Sequence, residues 1–458
     1  MKGAFKCLAV TATLWMSFFL IVDCYDPLDP NGNITIKWDI NSWTPEGYVA
    51  TVTIFNWQQY RHISTPGWLL GWEWTKKEVI WNMVGAQATT QGDCSAYHSD
   101  PIPHCCAPNP TVVDLLPGVP YNQQVSNCCR GGVISSYSQD PQTALSAFQI
   151  TVGNAGTSNT TVALPVNFTL MTPGPGYSCG PPTKVPASQF PSTDNRRVTQ
   201  AFMTWNITCT YLQNLAQRAP TCCVSFSTFY NPRITPCAEC ACACASNSTV
   251  TAMSGATEST DTCIDPNTQY DDLPAISTGD SIEKSSQPDI LYCTRDMCPV
   301  KIHWHIKTNY KEYWRVKVTI TNRDFSRNFT QWTLTLQHPN FDNFTEAFSF
   351  NYKGLNPYGI YSNDTAVFWG IKYFNDMLMQ AGPSGNVQSE LLFAKGKDFK
   401  FSNGWAFPHR VYFNGDDCVL PELQDYPTLP NSSPRLQMSI TCRVSMAVIG
   451  LSLIVLFV

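Results

Sequence analysis

Ile36-Lys37-Trp38-Asp39-Ile40 near the start of the chain and Ile302-His303-Trp304-His305-Ile306 far along it share one pattern, apolar and polar residues alternating around a central tryptophan. A period of two places Ile36, Trp38 and Ile40 on one face of a β-strand, and its apolar character marks that face as buried. The likeness extends outward without a gap. Residues 36–56 set against 302–322 give eight identities, among them Glu46/Glu312 and Val52-Thr53-Ile54-x-Asn56 against Val318-Thr319-Ile320-x-Asn322. Tyr48 faces Trp314, and Trp68-Leu69-Leu70 is answered by Trp332-Thr333-Leu334. The expectation is an all-β chain of two β-sandwich modules, a degenerate duplication.

Composition shifts divide the rest. Residues 25–172 are β-patterned and rich in tryptophan, and Pro173-Gly174-Pro175-Gly176 breaks the pattern. A cysteine- and proline-rich region, read as a linker, covers 173–299, and the second sandwich covers 300–420. Inside the linker, residues 246–260 are rich in Ser, Thr, Ala and Gly, the composition of a flexible loop. Both chain ends read as processing signals. Met1-Lys2 and Lys6 precede an apolar run to Val22, short for a membrane span, so residues 1–24 are a secretory signal peptide. At the other end Asn431-Ser432-Ser433 is a small-residue triplet, followed by a polar spacer and the apolar run 444–458. That is the layout of a GPI-attachment signal: a stalk at 421–431, the lipid on Asn431 and a removed propeptide at 432–458.

An extracellular life fits the remaining composition. Sequons stand at Asn33, Asn159, Asn167, Asn206, Asn247, Asn328, Asn343 and Asn363, besides the one at Asn431 that the anchor uses. A net charge of −5 with no basic run argues against a nucleic-acid partner. Of 20 cysteines, Cys7, Cys24 and Cys442 leave with the signals. In an oxidising compartment most of the others pair, and their odd number leaves one thiol free unless cleavage retains Cys24. The cluster Cys237, Cys240, Cys242 and Cys244 has the look of a zinc site, but secretion favours disulfides there.

Seven of the 14 tryptophans lie between Trp38 and Trp81. In Gly67-Trp68-Leu69-Leu70-Gly71-Trp72-Glu73-Trp74 the rings share one face with Leu70, opposite Glu73, and read as core. Trp43 before a turn, Trp57 in a loop-like segment with Tyr60, and Trp81 at a strand end read instead as displayed rings. Flat sugar faces stack on such rings, so Trp43, Trp81, Trp57 and Tyr60 are the candidate carbohydrate-binding residues.

The run Gly67-Trp68-x-Leu70-x-Trp72-x-Trp74, with Gly47-Tyr48 before it and Trp81-Asn82 after it, resembles family 2 carbohydrate-binding modules. That resemblance implies cellulose or xylan binding on a planar row of tryptophans, with Trp68 in the core position and Trp43 and Trp81 in two exposed ones. The second copy has Asn309 where the first has Trp43. Over nearly all of residues 25–458 the chain resembles the plant COBRA family. The motifs are Tyr25-Asp26-Pro27-Leu28-Asp29-Pro30, Cys128-Cys129-Arg130-Gly131-Gly132, Cys222-Cys223-Val224-Ser225 and Tyr310-Lys311-Glu312-Tyr313-Trp314-Arg315-Val316-Lys317, with the anchor signal. It departs at Ala243, where the family usually has glycine. This resemblance implies a wall glycoprotein, GPI-anchored on the outer leaflet of the plasma membrane, whose partner is cellulose or a related β-glucan. It further implies a part in microfibril deposition and oriented cell expansion.

The rival class is an enzyme, such as a glycosidase with two placed carboxyls, for which Glu46 and Glu312 are the recurring candidates. A third class is a receptor or adhesion protein that uses Trp57, Tyr60 and neighbouring loops. The pattern fits no enzyme best: no nucleophile motif or phosphate-binding glycine loop occurs, no cofactor is called for, and His303 and His305 match Lys37 and Asp39 rather than a repeated metal pair.

Overall fold

The structure, a computed structural model, describes residues 26–429 except 27, 99–100, 193, 195, 217–219, 325–326, 356–363, 398 and 402–404, and within 238–298 only the backbone of two short strands. Both processing signals, Asn431, Asn247, Asn363 and the cysteines 240, 242 and 244 therefore lie outside the described residues. In chain order the first part holds β1 (Ile34–Thr44), β2 (Gly47–Asn56), β3 (Leu69–Glu73), β4 (Val79–Val84), β5 (Ala86–Ala88), β6 (Thr111–Asp114) and β7 (Leu145–Gly153). It continues with β8 (Val166–Met171), β9 (Tyr177–Cys179), β10 (Thr183–Val185), β11 (Gln189–Pro191), β12 (Val198–Gln200) and β13 (Met203–Tyr211). One sheet runs β10-β13-β1-β2-β7-β4 with β9 also on β13, and the facing sheet runs β5-β6-β3-β8. Their inner faces close on one core in which Ile36, Trp38, Ile40 and Trp205 meet Leu70, Trp72, Trp74 and Phe168. The alternation read from the sequence is the burial pattern observed.

The second part holds β14 (Cys222–Thr228), β15 (Asn231–Thr235), β16 (Cys263–Ile264), β17 (Leu291–Tyr292), β18 (Val300–Asn309) and β19 (Tyr313–Asn322). After these come β20 (Leu334–Gln337), β21 (Phe344–Ala347), β22 (Phe350–Gly354), β23 (Thr365–Gly370), β24 (Asn386–Ala394), β25 (Arg410–Phe413) and β26 (Asp416–Asp417). Sheet β15-β14-β18-β19-β24-β21 packs on sheet β22-β23-β20-β25-β26 around Trp304, Trp314, Trp332 and Phe393. The duplication holds at atomic detail. Trp38 pairs with Val52 and Trp304 with Val318, and each first hairpin is bulged at the same place, between Ile40 and Ser42 and between Ile306 and Thr308. Each second strand ends in a buried asparagine doing the same work. Asn56 donates to the Arg61 carbonyl and accepts from the Gln58 amide, while Asn322 donates to the Arg327 carbonyl and accepts from the Asp324 amide.

The linker expectation needs correction. Among its described residues, 173–299 contributes sandwich strands: β13 pairs antiparallel with β1, and β14 pairs parallel with β18. The period-two run Met203, Trp205, Ile207, Cys209 is the mark of such a strand, and its surrounding prolines and cysteines obscure it. The sandwiches thus meet between 211 and 222. Disulfides tie these added strands down: Cys179–Cys209 joins β9 to β13, Cys222–Cys418 joins β14 to the segment after β26, and Cys223 pairs with Cys237. Cys94–Cys106 and the adjacent pair Cys128–Cys129 complete the described set, with Cys105 a buried free thiol. Cys237 is therefore a disulfide partner. Among the described residues no helix is long and apolar enough to cross a membrane.

Where the two sandwiches meet, Asp26, Leu28 and Asp29 are held between them. Leu28 packs with Tyr60, Leu355, Val367 and Tyr412. Arg61 is buried, pairs with Asp26 at 3.1 Å and lies on the Tyr211 ring at 3.7 Å. Thr333 of the second sandwich donates to the Tyr60 carbonyl at 3.1 Å. Burial pushes the Asp29 carboxyl up to about 6 and the His62 imidazole down to about 4.

Candidate functional site

The four sugar-binding candidates do not converge. Tyr60 is a correction: it is fully buried, its hydroxyl donates to Asp26, and its ring meets Tyr412 at 5.6 Å. It belongs to the joint between the sandwiches, because the second sandwich covers what looks from the sequence like a loop aromatic. Trp57 is displayed, 44% exposed, with its ring stacked on Phe55 at 5.5 Å and against Tyr137 at 5.4 Å.

Trp43 and Trp81 lie at the other end of the same sheet. The cross-strand row Trp43–Tyr48–Val152–Ile80 runs over β1, β2, β7 and β4, and Trp81 is the extra residue of a bulge next to Ile80. Three strand spacings separate the two backbones by about 14 Å, while Trp57 is about 30 Å away along β2. Neither ring is fully displayed, which corrects the expectation of two bare stacking rings. Trp43 is half-buried against Tyr48 at 6.4 Å and Phe202 at 6.3 Å. Trp81 is half-buried, 5.6 Å from Tyr97, and covers Gly153 so closely that a Cβ there would meet its indole nitrogen at 2.0 Å. A side chain at 153 would displace the ring. Trp43 shares the inward row with Tyr48, whereas Trp81 covers the outer face, so the two rings cap one end of the sheet instead of forming one planar row.

Phe202 and Tyr97 join this end unforeseen. Phe202 is 53% exposed, and its amide donates to the Ile40 carbonyl, which fixes it beside Trp43. Nothing near Phe202 in sequence points to Trp43; the β1–β13 register brings them together. At the matching end of the second sandwich Asn309 replaces Trp43 and donates to the Tyr230 hydroxyl at 2.6 Å.

The core tryptophans are as read. Trp68, Trp72 and Trp74 are buried, and Trp68 stacks on Phe148 at 5.9 Å. Glu46 and Glu312 are exposed in the two first hairpins, and each carbonyl accepts an amide from just after the strand paired with the hairpin, Ala155 after β7 or Lys395 after β24. Their recurrence is a turn feature. His303 bridges Ser225 at 2.6 Å and Ser227 at 2.8 Å, and His305 takes Ser227 at 2.6 Å. Burial, helped by Lys301 and His305, lowers His303 to about 4, so it sits neutral in a hydrogen-bonded ladder across β14 and β18.

Of the described sequons, Asn159, Asn167 and Asn328 are exposed, and Asn33, Asn206 and Asn343 are half-buried.

Comparison with known proteins follows the two sandwiches. Residues 48–212 match the family model of the COBRA N-terminal domain, and residues 221–427 match that of the COBRA family C-terminal domain. The chain is 58% identical over 445 residues to Protein COBRA of Arabidopsis thaliana, covering 97% of this chain and 94% of the relative. It is 60% identical over 427 residues to COBRA-like protein 2 of the same plant, covering 93% and 92%. To COBRA-like protein 3 of Oryza sativa subsp. japonica it is 59% identical over 423 residues, covering 92% and 90%.

Proposed function

The chain belongs to the COBRA family, and from that premise we propose that it is a GPI-anchored cell-surface glycoprotein that binds cellulose or a related β-glucan. Its role is in cellulose microfibril deposition and oriented plant cell expansion. The observation that supports binding is the aromatic end of the first sandwich, where two ring pairs, Trp43 with Phe202 and Trp81 with Tyr97, cap the same end of one sheet. Apolar rings at a sheet end, backed by a rigid core, can take the apolar face of a glucan chain without a groove. The opposing reading, hydrolysis, needs two carboxyls at a cleft, and Glu46 and Glu312 are hairpin residues of different sandwiches.

Because Trp43 and Trp81 are half-buried, leucine substitutions test binding better than alanine: bulk stays and the flat ring goes. Trp43→Leu with Trp81→Leu and Phe202→Ala is expected to weaken pull-down on crystalline cellulose by about 1–3 kcal/mol, the scale of stacking a flat ring on an aromatic side chain. Parent-like retention by this triple variant would move the glucan elsewhere. Anchoring is tested separately. A phospholipase specific for GPI is expected to release the protein from membranes, motivated by Asn431-Ser432-Ser433 and the short apolar tail. A membrane-bound fraction unchanged beside a released GPI control would exclude the anchor.

A further inference from the structure

The outer face of the first sandwich carries an apolar patch with a sequon beside it. Phe55 and Trp57 stack at 5.5 Å, Tyr137 is 5.4 Å from Trp57, and the Tyr137 amide donates to the Gln58 carbonyl, which locks the patch in place. Trp57 and Tyr137 are 44% and 40% exposed. Asn33, of the sequon Asn33-Ile34-Thr35, is the cross-strand neighbour of Trp57, whose amide donates to the Asn33 carbonyl at 2.9 Å. Asn33 Oδ1 accepts from the Thr35 hydroxyl at 2.9 Å, and Thr35 lies opposite Phe55, so amide and rings share one face. Side chains so placed start about 5 Å apart. A second sequon points the same way: Asn206-Ile207-Thr208 lies on β13, with Thr208 directly opposite Thr35 and Asn206 opposite Lys37.

We propose that this patch is covered by the protein's own N-glycan, the first sugars on Asn33 packing against Trp57, Phe55 and Tyr137. The inference uses the secretory part of the reading above and is independent of cellulose binding. Attachment forms a bond from Asn33 Nδ2 to sugar C1 while the C1–O bond to a lipid pyrophosphate donor breaks, and one amide proton leaves with the pyrophosphate. The nitrogen keeps one hydrogen, enough to retain its 3.1 Å contact with the Asn31 carbonyl. An apolar sugar face then shields rings that the fold leaves half-exposed. The end of the outer face around Trp57 becomes a glycan face, and a polymer is left the opposite sheet end at Trp43 and Trp81.

The test uses the full secreted chain and a peptide N-glycosidase on the folded protein, with glycan loss followed by mass spectrometry at Asn33 and at the exposed Asn159. The Asn33 glycan is expected to be removed more slowly than that on Asn159. Trp57→Ala, or Tyr137→Ala if the first folds poorly, should speed its removal by about two- to ten-fold, the factor ring contacts of this kind are worth, without changing the Asn159 rate. An equal rate in parent and variants would overturn the proposal. So would an empty Asn33 while Asn159 and Asn167 are occupied; if all three are empty, the secretory reading fails with it. Loss of cellulose pull-down in glycosylated Trp57→Ala would also overturn it, by showing the patch open to the polymer.

Discussion

Trp38→Ala is expected to destabilise the first sandwich by about 3–5 kcal/mol, the cost of leaving a tryptophan-sized hole in a core. Trp38 is fully buried on the central strand β1. Its ring stacks on Trp205 at 5.5 Å and meets Trp72 at 5.4 Å, Trp74 at 6.4 Å and Phe168 at 6.5 Å edge-on, which joins the neighbouring strand β13 and the facing sheet. Four surrounding rings cannot collapse together into the hole, because they are held by strands of two different sheets. Trp38→Phe keeps a ring and removes an indole N–H that has no acceptor among the described residues, so it should cost less. Thermal unfolding of secreted protein is the measurement, with yield as a second readout. A melting temperature for Trp38→Ala equal to that of the triple binding variant would refute the separation of core rings from displayed ones.

The second large effect is at the joint. Arg61→Ala is expected to cost about 3–5 kcal/mol, since it strands the buried Asp26 carboxylate that Arg61 neutralises. Few contacts could replace it. Arg61 is enclosed by Asp26, the Tyr211 ring and Gly415, whose missing side chain leaves room for the guanidinium: a Cβ at 415 would lie 2.8 Å from Nη1. Burial works against the charge, but the paired Asp26 carboxylate outweighs it and the Arg61 pKa is held up. Arg61→Met combined with Asp26→Leu removes both charges and should cost clearly less than Arg61→Ala, which is the signature of an uncompensated charge rather than lost volume. Unfolding midpoints give the energies, and small-angle scattering reports whether the sandwiches part. If Arg61→Ala melts with the parent, the pair does not hold the joint.

The joint also explains why one candidate residue failed. Tyr60 follows Trp57-Gln58-Gln59, a polar-aromatic run with no apolar alternation, and so resembles a displayed loop. Its burial comes from Leu28, Val367 and Tyr412, which are remote in sequence and reach it only once both sandwiches are formed. The same holds for Trp43, which is partly covered by Phe202 from a stretch read as linker.

What the sequence determined by itself was everything carried by neighbours along the chain. Period-two alternation set the buried faces of β1, β2, β18 and β19, and the ungapped repeat set the duplication, down to the paired asparagines Asn56 and Asn322. Alternation says which side of a strand is dry, but not which strand lies beside it. Trp38 pairs across β1 with Trp205 on an antiparallel β13, and Trp304 with Phe226 on a parallel β14. Those choices, with the Cys222–Cys418 and Cys223–Cys237 pairings, the burial of Tyr60 and the meeting of Trp43 with Phe202, were decided only by tertiary structure. The physical reason is that backbone pairing is nearly indifferent to side-chain identity. Which distant segments become neighbours depends on how the remaining apolar faces can all be buried at once.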